Sequence, residues 1–162
     1  MKPSSYITFR LGREHFGLPV KHVREVLDYE EITPLPLCPA YVRGVLKVRD
    51  EAVPVIDLRT RFGMPTADSS LQTRIIIMEF PLEGRVCIVG GLADAVQAVI
   101  ELEEAQISPS PAVGSQWKAG LIEGVTQHEG AFVLLLDITS LFSGDELRTI
   151  STNKPKVELP PS

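Results

Sequence analysis

The sequence predicts a mainly β protein made of two pseudo-symmetric, five-stranded barrels packed side by side, with short helical turns. Three observations predict it. The chain repeats itself: residues 44–63 read GVLKVRDEAVPVIDLRTRFG and residues 124–144 read GVTQHEGAFVLLLDITSLFSG. Thirteen steps separate Gly44 from Asp57, and thirteen separate Gly124 from Asp137. Upstream, Gly17, Val20, Val23 and Val26 match Gly90, Ala93, Val96 and Val99 in spacing, and ITPLP at 32–36 echoes ISPSP at 107–111. Second, hydrophobic residues make up 44% of the 162 but aromatics only 6%, so the core rests on Val, Ile and Leu, which favour strands. Third, thirteen Pro and twelve Gly favour many short elements over long helices.

In chain order, residues 6–11 alternate as a strand, residues 12–15 turn, and residues 16–20 return. Residues 21–27 place Val20, Val23, Val26 and Leu27 at helical spacing with charged residues between. So short a run fits an amphipathic turn or a bent strand. Pro34, Pro36 and Pro39 stiffen the approach to a hairpin whose strands surround Val45–Leu46–Val48 and Val53–Val55–Ile56. Arg49, Asp50 and Glu51 form its turn, and Asp50 is the residue best suited to a left-handed conformation. Asp57 and Gly63 bracket one helical turn as N-cap and stop signal. Residues 64–72 read as a linker. The second copy then runs through strands at 74–80 and 86–92, an amphipathic segment at 94–100, a polar connection at 101–120 containing Trp117, and the second hairpin. DELRTI at 145–150 suits a helix, and residues 146–162 form a tail that frays. Residues 5–145 are thus expected to form a single domain, with one lobe at about 5–66 and another at about 72–145. Lobes of roughly seventy residues are too small to be robust alone.

Charge and motifs exclude most chemistry. The net charge is −5 without a basic run, unlike a nucleic-acid binder. Cys38 and Cys87 stand apart and read as buried thiols of a reducing compartment. The amino-terminal residues lack a secretory h-region, and no apolar run is long enough to span a bilayer, so the expected location is the cytosol. His15, His22 and His128 have no metal-ligand partner at close spacing. No G-x-S-x-G elbow or phosphate loop occurs. The repeated Asp57 and Asp137 invite comparison with an aspartic-protease dyad. However, Leu58-Arg59 and Ile138-Thr139 follow them instead of the small residues a dyad needs, and capping explains both. The expectation is therefore a non-enzyme without cofactor or metal. A small β-barrel hydrolase is the rival class.

FRLGREHFGLPVKHVREV and ITPLPLCPAYVRGVLKVRDEAVPVIDLRTRFG closely resemble the CheW-like domains of bacterial chemosensory systems. The second half, through Leu92–Val96 and residues 124–141, fits more loosely, and the match spans about residues 5–145. The resemblance implies SH3-like barrels and an adaptor. Such an adaptor joins the cytoplasmic tip of a chemoreceptor (a methyl-accepting chemotaxis protein) to the regulatory domain of a CheA-type histidine kinase. It is cytoplasmic and recruited to membrane receptor arrays. Val23 and Glu25 match the family's V-x-E, and Arg49 matches the Arg of its N-L-R-G; in the family these serve docking and coupling. Lys47 and Asp50 depart from the family's Asn and Gly. The same fold also fits an adaptor for surface motility, pili or second-messenger output. The expected binding residues are Val20, Val23, Glu25, Val26 and Arg49. The valines would edge a groove for a helical stripe, with the two charges at its rim.

Overall fold

The computed structural model describes residues 3–82, 84–109 and 121–141. Trp117, the DELRTI segment and the tail lie outside them. Ten strands form: β1 Ser4–Leu11, β2 Glu14–Pro19, β3 Val23–Asp28, β4 Val42–Val48, β5 Glu51–Asp57, β6 Arg74–Leu82, β7 Arg85–Ala93, β8 Ala95–Leu102, β9 Ile122–His128 and β10 Ala131–Leu136. Two single-turn helices, α1 Leu58–Arg61 and α2 Ile138–Leu141, follow β5 and β10.

The strands assemble into two five-stranded sheets of one topology, β8-β1-β2-β10-β9 and β3-β6-β7-β5-β4. In both, one pair is parallel, β2 with β10 and β5 with β7. The repeat is therefore real, but neither sheet is made from residues 5–66 or 72–145 alone. Each copy consists of a leading hairpin and three further strands, and the hairpins are exchanged. β1–β2 joins β8, β9 and β10, while β6–β7 joins β3, β4 and β5. Linear matching of the copies is blind to this, because an exchanged hairpin buries the same side chains as an unexchanged one.

The segment at 21–27 settles as a bent strand. A 3-10 turn at Val20–His22 leads into β3, where Val23 opposes Met78 and Glu25 opposes Ile77, leaving Arg24 as a one-residue bulge. Too few residues are available for a stable helix, and β6 offers an Ile-rich partner strand. The same bulge recurs at Gln97 in β8, where Ala98 opposes Thr8 and Val96 opposes Phe9. Each sheet curls as an SH3-like barrel does but does not close on itself, and one backbone bridge covers an edge strand of each: Thr33 with Val45, and Ser108 with Val125. Gly44 must be glycine at this bridge, since its φ is +145° and a Cβ there would overlap the Thr33 carbonyl.

Three apolar clusters fill the molecule. Ile32, Leu46, Val53, Val55, Ile75 and Ile77 belong to the curl of one sheet, and Tyr6, Ile100, Leu102, Val133 and Leu135 to that of the other. The largest cluster lies between the sheets and draws on both, with Phe9, Leu11, Phe16 and Leu18 from one and Ile56, Ile76, Met78 and Val89 from the other. Phe16 stacks on Phe9 at 5.6 Å and on Phe62 at 5.3 Å. Cys87 is buried here as expected, whereas Cys38 is only half-buried, because it sits in the proline-stiffened approach to β4.

The expected caps form. Asp57 accepts from the Arg59 and Thr60 amides at 3.0 and 3.4 Å, and Asp137 from the Thr139 amide at 3.1 Å. Asp57 is also buried against Arg43 at 3.2 Å. A second ionic contact joins the sheets at the crossing from β7 to β8. Arg59 donates to both Asp94 oxygens, at 2.6 Å from Nη2 to Oδ2 and 3.0 Å from Nε, and the Gly12 amide donates to Asp94 at 2.6 Å. Burial raises the Asp94 carboxyl pKa, but the hydrogen bonds from Arg59 and Gly12 and the neighbouring positive charge more than reverse this, so the net shift is downward.

Two outcomes follow from this architecture. A chain ending at Ser70 keeps β1–β5 but loses every strand that β1–β2 and β3 pair with outside their own hairpin. It should show no cooperative urea transition, and a melt matching the full chain would refute the exchanged assembly. Asp94→Asn should destabilise by roughly 1–3 kcal/mol near neutral pH, discounted for partial exposure. Because the folded carboxyl pKa is depressed, this contribution is present above the unfolded value and lost as pH falls through the folded one. The gap between wild type and variant in urea midpoint should therefore close on acidification below the ordinary carboxylate range.

Candidate functional site

The five expected binding residues lie on β3, the turn before it and the β4–β5 tip. β3 is an edge strand, hydrogen-bonded to β6 alone among the described strands. Val20, Val23 and Val26 are half-buried and pack on the cluster shared by the sheets. The Arg24 bulge turns Glu25 to the other face of β3, the face of Leu27 and the curl of its own sheet. The valines and Glu25 thus do not edge one groove from the same side; they flank β3. A spacing argument could not see this, because a bulge breaks the period of the strand.

The structure brings Glu25 and Arg49 together. Val48 and Glu51 pair at the end of the β4–β5 hairpin, and both turn residues take positive φ, +48° at Arg49 and +69° at Asp50. Such a two-residue turn matches the twist of the strands. It places Asp50 as expected but puts Arg49 in the left-handed region too, which aims its side chain back across the mouth of the curl. Arg49 Nε and Nη2 donate to the two Glu25 oxygens at 3.0 and 3.1 Å. The hydrogen bonds from Arg49 hold the Glu25 carboxyl below its ordinary range against slight desolvation, with the charges of Arg49 and Arg24 adding to the effect. Arg24 pairs with Glu51 at 3.7 Å and Lys47 with Asp50 at 3.7 Å. Exposed pairs of this kind contribute little to stability. The two-toothed contact with Glu25 orients the guanidinium of Arg49, whose side chain is 73% exposed.

Val96 and Val99 on β8 repeat Val23 and Val26, and Val99 is 62% exposed. Beside Val20 lies a groove of about 670 Å³, lined also by Tyr6, Lys21, Glu123 and Asp137. Burial and then the Asp137 charge push the Glu123 carboxyl pKa up. The described residues hold no group of three His, Cys, Asp or Glu able to bind a metal ion. No helix among them is long and apolar enough to cross a membrane.

Residues 5–146 match the family model for the CheW-like domain. The chemotaxis protein CheW of Rhizobium meliloti (strain 1021) is 33% identical over 140 residues, covering 86% of this chain and 88% of that protein. Protein FrzA of Myxococcus xanthus is 30% identical over 148 residues, covering 90% and 89%. The crystal structure of the scaffolding protein TtCheW from Thermoanaerobacter tengcongensis superimposes with a TM-score of 0.78 at 31% identity, covering 89% of this chain and 95% of that one.

Glu123 offers a check on the groove's electrostatics. Its raised pKa means that the folded state binds the proton more tightly than the unfolded chain, so stability falls as pH rises from the unfolded to the folded value. Glu123→Gln should therefore raise the urea midpoint at neutral pH and leave it unchanged in acid. An equal effect at both pH values would show that the side chain acts through shape and not charge.

Proposed function

The chain belongs to the CheW-like domain family, non-catalytic adaptors of chemotaxis signalling, and from that premise we propose that it couples the cytoplasmic tip of a chemoreceptor to the regulatory domain of a CheA-type histidine kinase. We further propose that residues 5–145 act as one domain in this role, recruited from the cytoplasm to receptor arrays. The observation that carries the reading is the oriented Glu25–Arg49 pair beside the half-buried ridge of Val20, Val23 and Val26, both reachable along one edge strand. A receptor tip is an amphipathic helical hairpin. Laid along β3, it finds apolar contact on one side of the strand and a fixed charge on the other. The valines supply contact area, and Arg49 supplies register and partner choice. Lys47, near the end of β4, and Asp50, on the turn, pair with each other, so they alter the local field that a partner meets without disturbing the Glu25–Arg49 contact.

Charge reversal tests this. Arg49→Glu should weaken binding of a receptor-tip fragment about tenfold or more at low salt, and less at high salt. Binding of the kinase regulatory domain should persist. The exchange Glu25→Arg with Arg49→Glu rebuilds an ion pair of opposite direction, so it should restore the turn but not receptor affinity. Calorimetry on both variants distinguishes the readings. If the exchanged pair binds receptor as well as wild type, the pair only props the turn. If Arg49→Glu alone has no effect, docking lies elsewhere.

A further inference from the structure

The two barrels carry the same mouth, and only one of the two is filled from within. β4 and β9 share one burial pattern along their length. Both hairpins end in turns with two positive φ values, Arg49–Asp50 and Glu129–Gly130, the latter at +52° and +81°. Both facing edge strands carry a one-residue bulge, at Arg24 and at Gln97. Glu25 and Ala98 are therefore equivalent, as are Arg49 and Glu129. In the first barrel the turn residue is a cation, and the strand supplies its carboxylate. In the second the turn residue is a carboxylate, and the strand supplies a methyl group that cannot pair with it.

What remains is an open pit of about 320 Å³, lined by Thr8, His15, Gln97, Ala98, His128 and Glu129 among others. The Glu129 carboxylate is 82% exposed, and its contact here is His128 Nε2 at 3.5 Å. Gln97 Oε1 accepts a hydrogen bond from His15 Nδ1 at 2.8 Å, which leaves its second lone pair for a further donor. Arg13, on the neighbouring β1–β2 turn, and Glu14, at the start of β2, line an adjoining hollow with His15 and offset each other in charge. The pit thus presents one carboxylate and a second oxygen acceptor over a floor of small side chains.

We propose that this mouth is a docking pit for an arginine side chain presented by a partner protein, with Glu129 taking the guanidinium as Glu25 takes Arg49 in the first barrel. The occupant's chemistry follows from the pair already made in the equivalent place. A two-toothed contact to a carboxylate, with Gln97 Oε1 as a further acceptor, suits a planar guanidinium better than an ammonium. A protein partner follows from the exposure. A single open ion pair holds a free arginine weakly, so that binding saturates only at high ligand concentration, whereas an arginine on a docked surface is positioned by the contacts around it. The inference is independent of where a receptor binds, and its failure leaves that reading standing.

The test is a ¹⁵N–¹H titration of the full chain with Nα-acetyl-arginine amide, with the neutral citrulline analogue as control. Saturable shifts are expected at the amides of Gln97, Ala98, His128, Glu129 and Gly130 with the arginine compound and not with citrulline. Glu129→Gln should weaken that binding at least about fivefold. Ala98→Arg places a guanidinium in the pit from the strand itself and should abolish the shifts while leaving the rest of the spectrum intact. Equal shifts with citrulline, persistence of binding in either variant, or the absence of saturable shifts at these amides would overturn the proposal.

Discussion

The apolar layer between the two sheets is the interaction on which the rest of this molecule depends. A five-stranded sheet of short strands can curl over only a small cluster of its own, and here each curl encloses one. The larger cluster is shared, and it is built from residues that alternate away from those curls: Ile7, Phe9 and Leu11 on β1, Ile76 and Met78 on β6. Because strands have a period of two, every strand in the middle of a sheet must satisfy both sides at once. This explains why Ile75, Ile76, Ile77 and Met78 are all fully buried in a run with no polar break. The exchange of leading hairpins reinforces the layer, since the chain crosses between sheets twice and a separation of the sheets would strain both crossings.

The ionic contacts fall where the layer is thin. Asp94 lies where the chain leaves one sheet for the other, and it gathers Arg59 from the turn after β5 and the Gly12 amide from the β1–β2 turn. Asp57 combines a cap with a contact to Arg43. These groups are largely withdrawn from water, so their geometry counts for more than the exposed pairs around Arg49. Buried Asp57 and half-buried Asp94 therefore fix the framework, while the Arg49 side chain stays exposed beside its Glu25 partner. The same residue types do different work because their solvation differs.

The pseudo-symmetry gives the molecule two versions of one surface. The bulge and the twisted turn recur in both barrels. The side chains placed on that common frame do not: Glu25 and Arg49 have become Ala98 and Glu129. A duplicated frame with diverged tips thus presents different chemistry at two equivalent turns of one molecule.

Much of this was legible in the sequence, and the boundary has a physical cause. Local signals determined the strands, the hairpin turns and the two aspartate caps, since each rests on a few neighbouring residues: β-branched runs, Asp50 in a tight turn, Asp57 and Asp137 before a helical turn. The repeat spacing identified two equivalent sheets, and the motifs around Val23, Glu25 and Arg49 identified the family. Tertiary structure alone decided which strands share a sheet, because the apolar faces of β1–β2 and β6–β7 are compatible with either set of three. It also decided the faces of β3. One extra residue at Arg24 reverses the alternation, and a bulge is specified by the pairing with β6 instead of by the residue itself. For the same reason the Glu25–Arg49 and Arg59–Asp94 contacts, separated by 24 and 35 residues, appear only once the sheets have curled and packed.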